Sequence, residues 1–239
     1  MSSLVNVFVN DISVDVPKNF SVLQACEFAG VIIPKFCFHE RLVVSGNCRI
    51  CLVEVKKMPK PVASCATPIF PQIQIFTVSP LVIKARESIL EFILKNHPLD
   101  CPICDQGGEC DLQDQTMMFG SDSSRFFEKK RSLFSKKVNC SLNTIITRCI
   151  NCTRCVRFIA YYGTDGSLGI TGRGVHSEIG LFKNSKISSF LVGNIVDLCP
   201  VGFLVKKLLC SFCILCLKFW VLFYVCLLQL LFLLLLNEK

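Results

Sequence analysis

The sequence predicts an α+β chain built from small cysteine-rich modules in series rather than around one large apolar core. Three observations point there. A strictly alternating stretch, "VNVFVNDISVDV", is followed by a short capped helix and further strand-like runs. Cysteines recur at short spacings in three separate groups. A polar, Ser- and Lys-rich stretch over residues 121–140 divides the second group from the third.

In the first stretch Val5, Val7 and Val9 share one face, Asn10-Asp11 can turn, and Ile12, Val14 and Val16 return, which is a β-hairpin. In "SVLQACEFAG" Ser21 and Gln24 stand in capping-box register, and Gly30 is placed to end the helix. "ICLVEVK" and "IQIFTV" then read as strands. Hairpin, helix and further strands is the element order of a β-grasp ferredoxin, with its cysteines in the loop after the helix. Ser79 as N-cap and Pro80 at the first helical position open a second helix. Its apolar positions Val82, Ala85, Ile89, Phe92 and Ile93 follow helical spacing, and it runs out just before His97-Pro98. A third cysteine module occupies 141–204, and a Leu/Phe/Cys tail closes the chain.

Seventeen cysteines, an odd number, stand in a chain whose first periodic segment no signal peptide precedes. That disfavours a secreted disulfide framework and favours metal. The net charge of +8 is modest, and the clusters Lys129, Lys130, Arg131 and Lys136, Lys137 lie in the polar stretch. Without interleaved aromatics they read as a solvated face or a subunit contact, not as a nucleic-acid surface. No G-x-G-x-x-G follows a strand, so no nicotinamide or flavin site is expected. No nucleophile and base are arranged for bond chemistry, so no catalytic residue is expected.

The first ligand set is Cys37, Cys48, Cys51 and Cys65, spaced C-x10-C-x2-C-x13-C. Thiolates suit zinc or iron–sulfur. A structural zinc site usually shows two short-spaced pairs, whereas here one pair is flanked by two distant cysteines. The pattern is that of a plant-type [2Fe–2S] site with a longer first gap. Gly46 lets the backbone pass close to sulfide and aim N–H groups at it, and Arg49 offers positive charge between the close ligands. The second set is His97, Cys101, Cys104 and Cys110, spaced H-x3-C-x2-C-x5-C, with Gly107-Gly108 to bend the chain. The segment offers no other fourth soft ligand, so His97 is read as one. Being neutral, an imidazole should raise the potential of a [4Fe–4S] cluster above that of an all-cysteine twin, as in Rieske centres. The third set is Cys149, Cys152 and Cys155 with the remote Cys199-Pro200, a specific signature for one [4Fe–4S] cluster. Ile159 stands where a two-cluster ferredoxin would carry another cysteine. Arg148, Arg154 and Arg157 bracket this set, either offsetting cluster charge or making surface ion pairs.

These sets, with "SGNCRICLVEV", "HPLDCPICDQGGECDLQDQ", "RCINCTRCVRF", "GITGRG" and "GNIVDLCPVG", resemble the large iron–sulfur subunit (75 kDa) family of NADH:quinone oxidoreductase, respiratory complex I, over residues 4–204. The resemblance implies one [2Fe–2S] cluster and two [4Fe–4S] clusters relaying electrons from flavin toward quinone. It implies partners in the flavin/NADH-binding subunit and the downstream iron–sulfur subunits. The expected organisation is a β-grasp [2Fe–2S] ferredoxin-like domain over 1–78 and a small helical His/Cys3 [4Fe–4S] domain over 79–120. A polar connector over 121–140, a ferredoxin-like [4Fe–4S] module over 141–204 and a hydrophobic helical tail over 205–239 complete it. The family continues past "CPVG" into a molybdopterin-oxidoreductase-like domain, which a separate polypeptide could supply. The other reading is the diaphorase small subunit of a soluble NAD-reducing hydrogenase, which the tail disfavours. A zinc-stabilised interaction protein is the reading from a different class. The lack of a transit peptide, with twenty Phe and one Trp, leans to the matrix side of the inner mitochondrial membrane; the alternative is the cytoplasmic face of a bacterial membrane.

Phe219 to Leu236 reads "FWVLFYVCLLQLLFLLLL". As a helix it would reach about 27 Å, near the roughly 30 Å of a bilayer's hydrocarbon. A membrane span and burial in a partner are both open. Cys210, Cys213 and Cys216 mimic a cluster motif, but cysteine in apolar sequence behaves as a small hydrophobe.

Overall fold

The computed structural model describes residues 4–135, 137–139, 142–163, 168–182, 187 and 190–206. The expectations for the apolar tail, including its decoy cysteines, fall outside these residues. Among the described residues no helix is long and apolar enough to cross a membrane.

The start of the chain folds as its alternation predicts. β1 (Leu4–Val9) and β2 (Ile12–Pro17) pair antiparallel through a turn at Asn10 and Asp11, both at positive φ. These are residue types that tolerate the left-handed region a two-residue hairpin turn requires. Asn10 also exchanges hydrogen bonds with Thr77, its Nδ2 donating to the hydroxyl and its Oδ1 accepting from the amide. α1 (Val22–Phe28) begins in a complete capping box: the Gln24 amide donates to the Ser21 hydroxyl, and the Ser21 amide donates to the Gln24 side chain. Gly30 follows it at φ +78°.

β3 (Leu52–Val55), β4 (Val62–Ala63) and β5 (Gln74–Phe76) complete a five-stranded sheet ordered β2-β1-β5-β3-β4. β1 and β5 run parallel, and the other pairs are antiparallel. Val7, Val9, Val16, Val53, Val55 and Ile75 pack against Val22, Leu23 and Ala25 of α1. This is the β-grasp arrangement.

α2 (Pro80–Asn96) starts on Ser79, whose hydroxyl accepts from the Val82 amide, and ends with His97 as its C-cap. Its buried stripe is Val82, Arg86 and Leu90, four residues apart. Phe92, expected on the apolar face, is 70% exposed. α2 packs on β3, and Arg86 reaches across to donate to the Leu52 carbonyl at 2.9 Å. A 3₁₀ turn at Cys101–Ile103 and α3 (Asp111–Phe119) follow.

The polar stretch after residue 120 is strapped to α2 rather than free in solvent. Arg125 forks onto the Glu91 carboxylate, and Lys95 lies over the Phe126 ring. Lys130 donates to the carbonyls of Leu94 and Lys95. Orphan carbonyls at a helix C-terminus favour a cation there, which explains why part of this basic run is structural.

In the last module β6 (Lys137–Asn139), β7 (Leu142–Thr144) and β10 (Leu204–Lys206) form one small sheet. α4 (Arg154–Tyr162) follows, and β8 (Leu168–Thr171) pairs antiparallel with β9 (Glu178–Leu181). α5 (Asn194–Leu198) leads into Cys199. One core runs through all three modules, joining Phe36, Cys37 and Ile50 with Leu90, Leu112, Ile146, Ile159, Ile195 and Phe203.

Leu90 is 1% exposed and anchors the helix that delivers His97. Leu90→Ala should destabilise the chain by about 2–5 kcal/mol, the usual range for a buried leucine. Chemical denaturation of the two proteins side by side measures it as a lowered midpoint.

Candidate metal centres

The first ligand set gathers at the end of the β-grasp sheet. Cys37, Cys51 and Cys65 are buried and Cys48 is partly so. The sulfurs of Cys37 and Cys48 lie 3.3 Å apart, and the Cys37 amide donates to the Cys48 sulfur at 3.4 Å. Cys37 is held well below the ordinary thiol range, chiefly by hydrogen bonding from the Cys48 thiol and then from that of Cys65. Cys51 is lowered to about 6, chiefly by hydrogen bonding from Cys65. Cys48 and Cys65 move up correspondingly, since each shares its proton with an anionic neighbour.

Gly46, at φ +66°, turns its amide onto the Cys37 sulfur, as its place in the sequence predicts. Arg49 differs from expectation: its side chain is exposed, and its contribution is a left-handed backbone at φ 60° between the close ligands. Arg86 is a buried cation at this site, beside Cys51 and with its Nε unpartnered.

The second set lines a single cavity of about 260 Å³. His97, Cys101, Cys104 and Cys110 all face it, with Asp100, Gly107, Arg148 and Gly202 among the other walls. His97 Nδ1 is buried with no hydrogen-bond partner. Burial, with Lys130 and Arg148 nearby, lowers the imidazole to about 4, so the ring is neutral and its lone pair is available. A buried imidazole without a partner, among three thiols, is the donor set a [4Fe–4S] cluster would take. Gly108 takes φ +90° as the chain bends here, and a Cβ on Gly107 would lie 2.9 Å from the Cys101 carbonyl oxygen.

The third set also comes together: Cys149, Cys152, Cys155 and Cys199 lie within electrostatic reach of one another. Burial pushes Cys149 and Cys199 up to about 12 and Cys155 well above the ordinary thiol range. Main-chain N–H groups aim at the sulfurs, Asn151 at Cys149 (3.3 Å) and Val201, Phe203 and Leu204 at Cys199. Asn151 (φ 53°) and Thr153 (φ 64°) hold left-handed backbone between the ligands. Such conformations cost of order 1 kcal/mol each and curl amides into an anion-binding concavity. Thiols must lose protons to bind iron, so loading this dry site releases them.

Among the described residues no three His, Cys, Asp or Glu side chains form the shell of a single ion.

Sequence reasoning missed how the sets share walls. A Cβ on Gly202 would lie 2.3 Å from the Cys104 sulfur. The Cys110 thiol donates to the Pro200 carbonyl at 3.7 Å. Arg148, expected at the third set, instead pairs with Asp100 at 3.1 Å and walls the second cavity. The third set touches the first as well, through Asn47 to the Asn151 carbonyl (2.7 Å) and Thr153 to Ser45 (3.3 Å). The third ligand set thus stands between the other two.

Three family models match along the chain. Residues 2–80 match a 2Fe-2S iron-sulfur cluster binding domain. Residues 86–125 match the NADH-ubiquinone oxidoreductase-G iron-sulfur binding region, and 140–205 the ferredoxin-like domain of NADH-quinone oxidoreductase subunit 3. The cofactors are accordingly one [2Fe–2S] cluster and [4Fe–4S] clusters. Over 204 residues the chain is 57% identical to the NADH-ubiquinone oxidoreductase 75 kDa subunit of Reclinomonas americana. It is 56% identical to NADH dehydrogenase [ubiquinone] iron-sulfur protein 1, mitochondrial, of Solanum tuberosum. Each match takes in 85% of this chain but only 30% and 28% of the relative, so the chain spans under a third of their length. A chain of an NAD+-reducing [NiFe]-hydrogenase superposes with TM-score 0.78 at 28% identity, over 85% of this chain and 88% of that one.

Gly202→Ala would drive a methyl group into Cys104. Iron per chain should fall from about ten atoms to about six, with the clusters at the first and third sets retained. Iron analysis with the EPR spectrum of the reduced protein checks both halves of that outcome.

Proposed function

We propose that this chain, which belongs to the family of the NADH–ubiquinone oxidoreductase 75 kDa subunit, is an electron-transfer subunit of that oxidoreductase. In this reading Cys37, Cys48, Cys51 and Cys65 hold the [2Fe–2S] cluster. His97, Cys101, Cys104 and Cys110 hold one [4Fe–4S] cluster, and Cys149, Cys152, Cys155 and Cys199 hold another. The clusters supply one-electron carriage between a flavin-bearing partner and quinone. The observation that carries the reading is the cavity in which the unpartnered His97 ring meets Cys101, Cys104 and Cys110.

The protein's own part is to exclude water, hold sulfurs apart from solvent and set the energy of added charge. Ligand type, amide hydrogen bonds to sulfur and burial are its means. NADH, flavin and the coupling of electron flow to proton translocation belong to other subunits of the assembly. We place the chain on the matrix side of the inner mitochondrial membrane; in support, two relatives are named as mitochondrial. The module boundaries are those given above, 1–78, 79–120 and 141–204.

One observation favours a second reading, the diaphorase subunit of a hydrogenase, since the matching hydrogenase chain is covered over 88% of its length. Its 28% identity against 57% for the respiratory relative weighs the other way. Native gels of membrane and soluble fractions, stained for NADH dehydrogenase activity, separate the two. This chain should migrate with a large membrane-derived complex; recovery only with a small soluble hydrogenase would overturn the assignment.

His97→Cys should keep a cluster at the second set and lower its potential, because thiolate adds negative charge where imidazole adds none. A redox titration followed by EPR reads the change, and an unmoved midpoint would strike His97 from the ligands.

A further inference from the structure

We propose that Arg154, which is buried, and Arg157, which is half-buried, form a clamp that holds the first ligand set against the third at a fixed separation and lends positive charge to both. The inference rests on the reading that these two sets hold clusters.

The two arginines stand three residues apart on α4, on one face of the helix. Arg157 spreads its guanidinium over both sets. It donates to the main-chain carbonyl of Cys37, a ligand of the first set, and to that of Cys152, a ligand of the third, at 3.4 Å. It also donates to the carbonyl of Val43, in the loop between Cys37 and Cys48, and to the Thr153 hydroxyl at 3.1 Å. Arg154, 9% exposed, donates to the carbonyl of Phe38 at 2.9 Å and to that of Leu198 at 3.4 Å. Phe38 follows the ligand Cys37, and Leu198 precedes the ligand Cys199. Each arginine therefore ties backbone at or beside a first-set ligand to backbone at or beside a third-set ligand.

The partners are nearly all neutral carbonyls. Arg154 has one carboxylate nearby, Asp111 at 3.9 Å with half its side chain in solvent, and Arg157 has none among the described residues. Arg148 is the contrast: its charge is matched by Asp100 at 3.1 Å, at the second set. Carbonyl partners fix the guanidinium without neutralising it, so its field persists at sulfurs on both sides and favours the more reduced, more negative state. A lysine could keep the charge, but not the planar fork that reaches several carbonyls at once.

The test uses the full chain loaded with its clusters, with EPR-monitored redox titration and pulsed EPR of the magnetic coupling between clusters. Arg157→Gln keeps a donor but removes the charge. The midpoints of the first and third clusters should fall together, by about 59 mV for a tenfold change in a one-electron equilibrium. The second cluster should stay where it is and act as the internal reference. Arg157→Lys keeps the charge and loses the fork, so midpoints stay near wild type while the coupling between first and third clusters changes. Unmoved midpoints in Arg157→Gln, or an equal shift of all three, would overturn the proposal. Should Arg157→Gln not retain its iron, Arg157→Lys decides: coupling and midpoints both as in wild type reduce Arg157 to a packing residue. A wild-type chain that takes up no iron and sulfide would instead refute the underlying reading.

Discussion

The constraint on which the rest of the structure depends is the burial of clustered thiols. Four sulfurs drawn together away from water resist ionisation, and the third set shows it, with Cys149 and Cys199 pushed up to about 12 by burial alone as the leading cause. Iron binding needs them ionised, so the chain must supply compensation in place before the metal arrives. It does so with main-chain N–H groups aimed at sulfur, with left-handed turns at Arg49, Asn151 and Thr153, and with buried guanidiniums. Each of these costs conformational or desolvation energy in the metal-free chain. Loading and folding are therefore coupled, and the metal-free state is the less stable one.

The same constraint explains why modules that look serial in sequence are fused in space. A cluster needs a wall on every side, and no single loop of about ten residues provides one. The second cavity borrows Arg148 and Gly202 from the last module, and the first loop leans Phe36 and Ile50 into a core shared with α2, α3 and α4. The segment Cys199-Pro200-Val201-Gly202 serves two sites at once, carrying the proposed ligand of one and closely approaching the sulfurs of the other.

Much of this was legible in the sequence where the signal is local. The β1–β2 hairpin, the Ser21 capping box, the Ser79-Pro80 helix start and the end of that helix at His97 follow from neighbouring residues alone. The ligand spacings led to residues that the structure does bring together. What was not legible depends on chain partners far apart in sequence. Arg148, Arg154 and Arg157 look alike as three basic residues around a motif, yet one faces the second set and two bridge the third set to the first. Gly202 carries no local sign that Cys104 will lie against it. Phe92 has helical spacing but points outward, because α2 buries the Val82, Arg86 and Leu90 stripe against the β-grasp sheet instead. Lys130 reads as surface charge until the end of α2 is seen beside it.

In the proposed arrangement three clusters occupy this chain, with the Cys149–Cys199 site between the other two. Pulsed EPR on the loaded, reduced chain, with each cluster addressed at its own potential, measures the magnetic coupling of every pair. The third site should couple more strongly to the first and to the second than those two couple to one another. A stronger coupling between the first and second sites, or a protein whose iron never exceeds a single mononuclear equivalent, would contradict it.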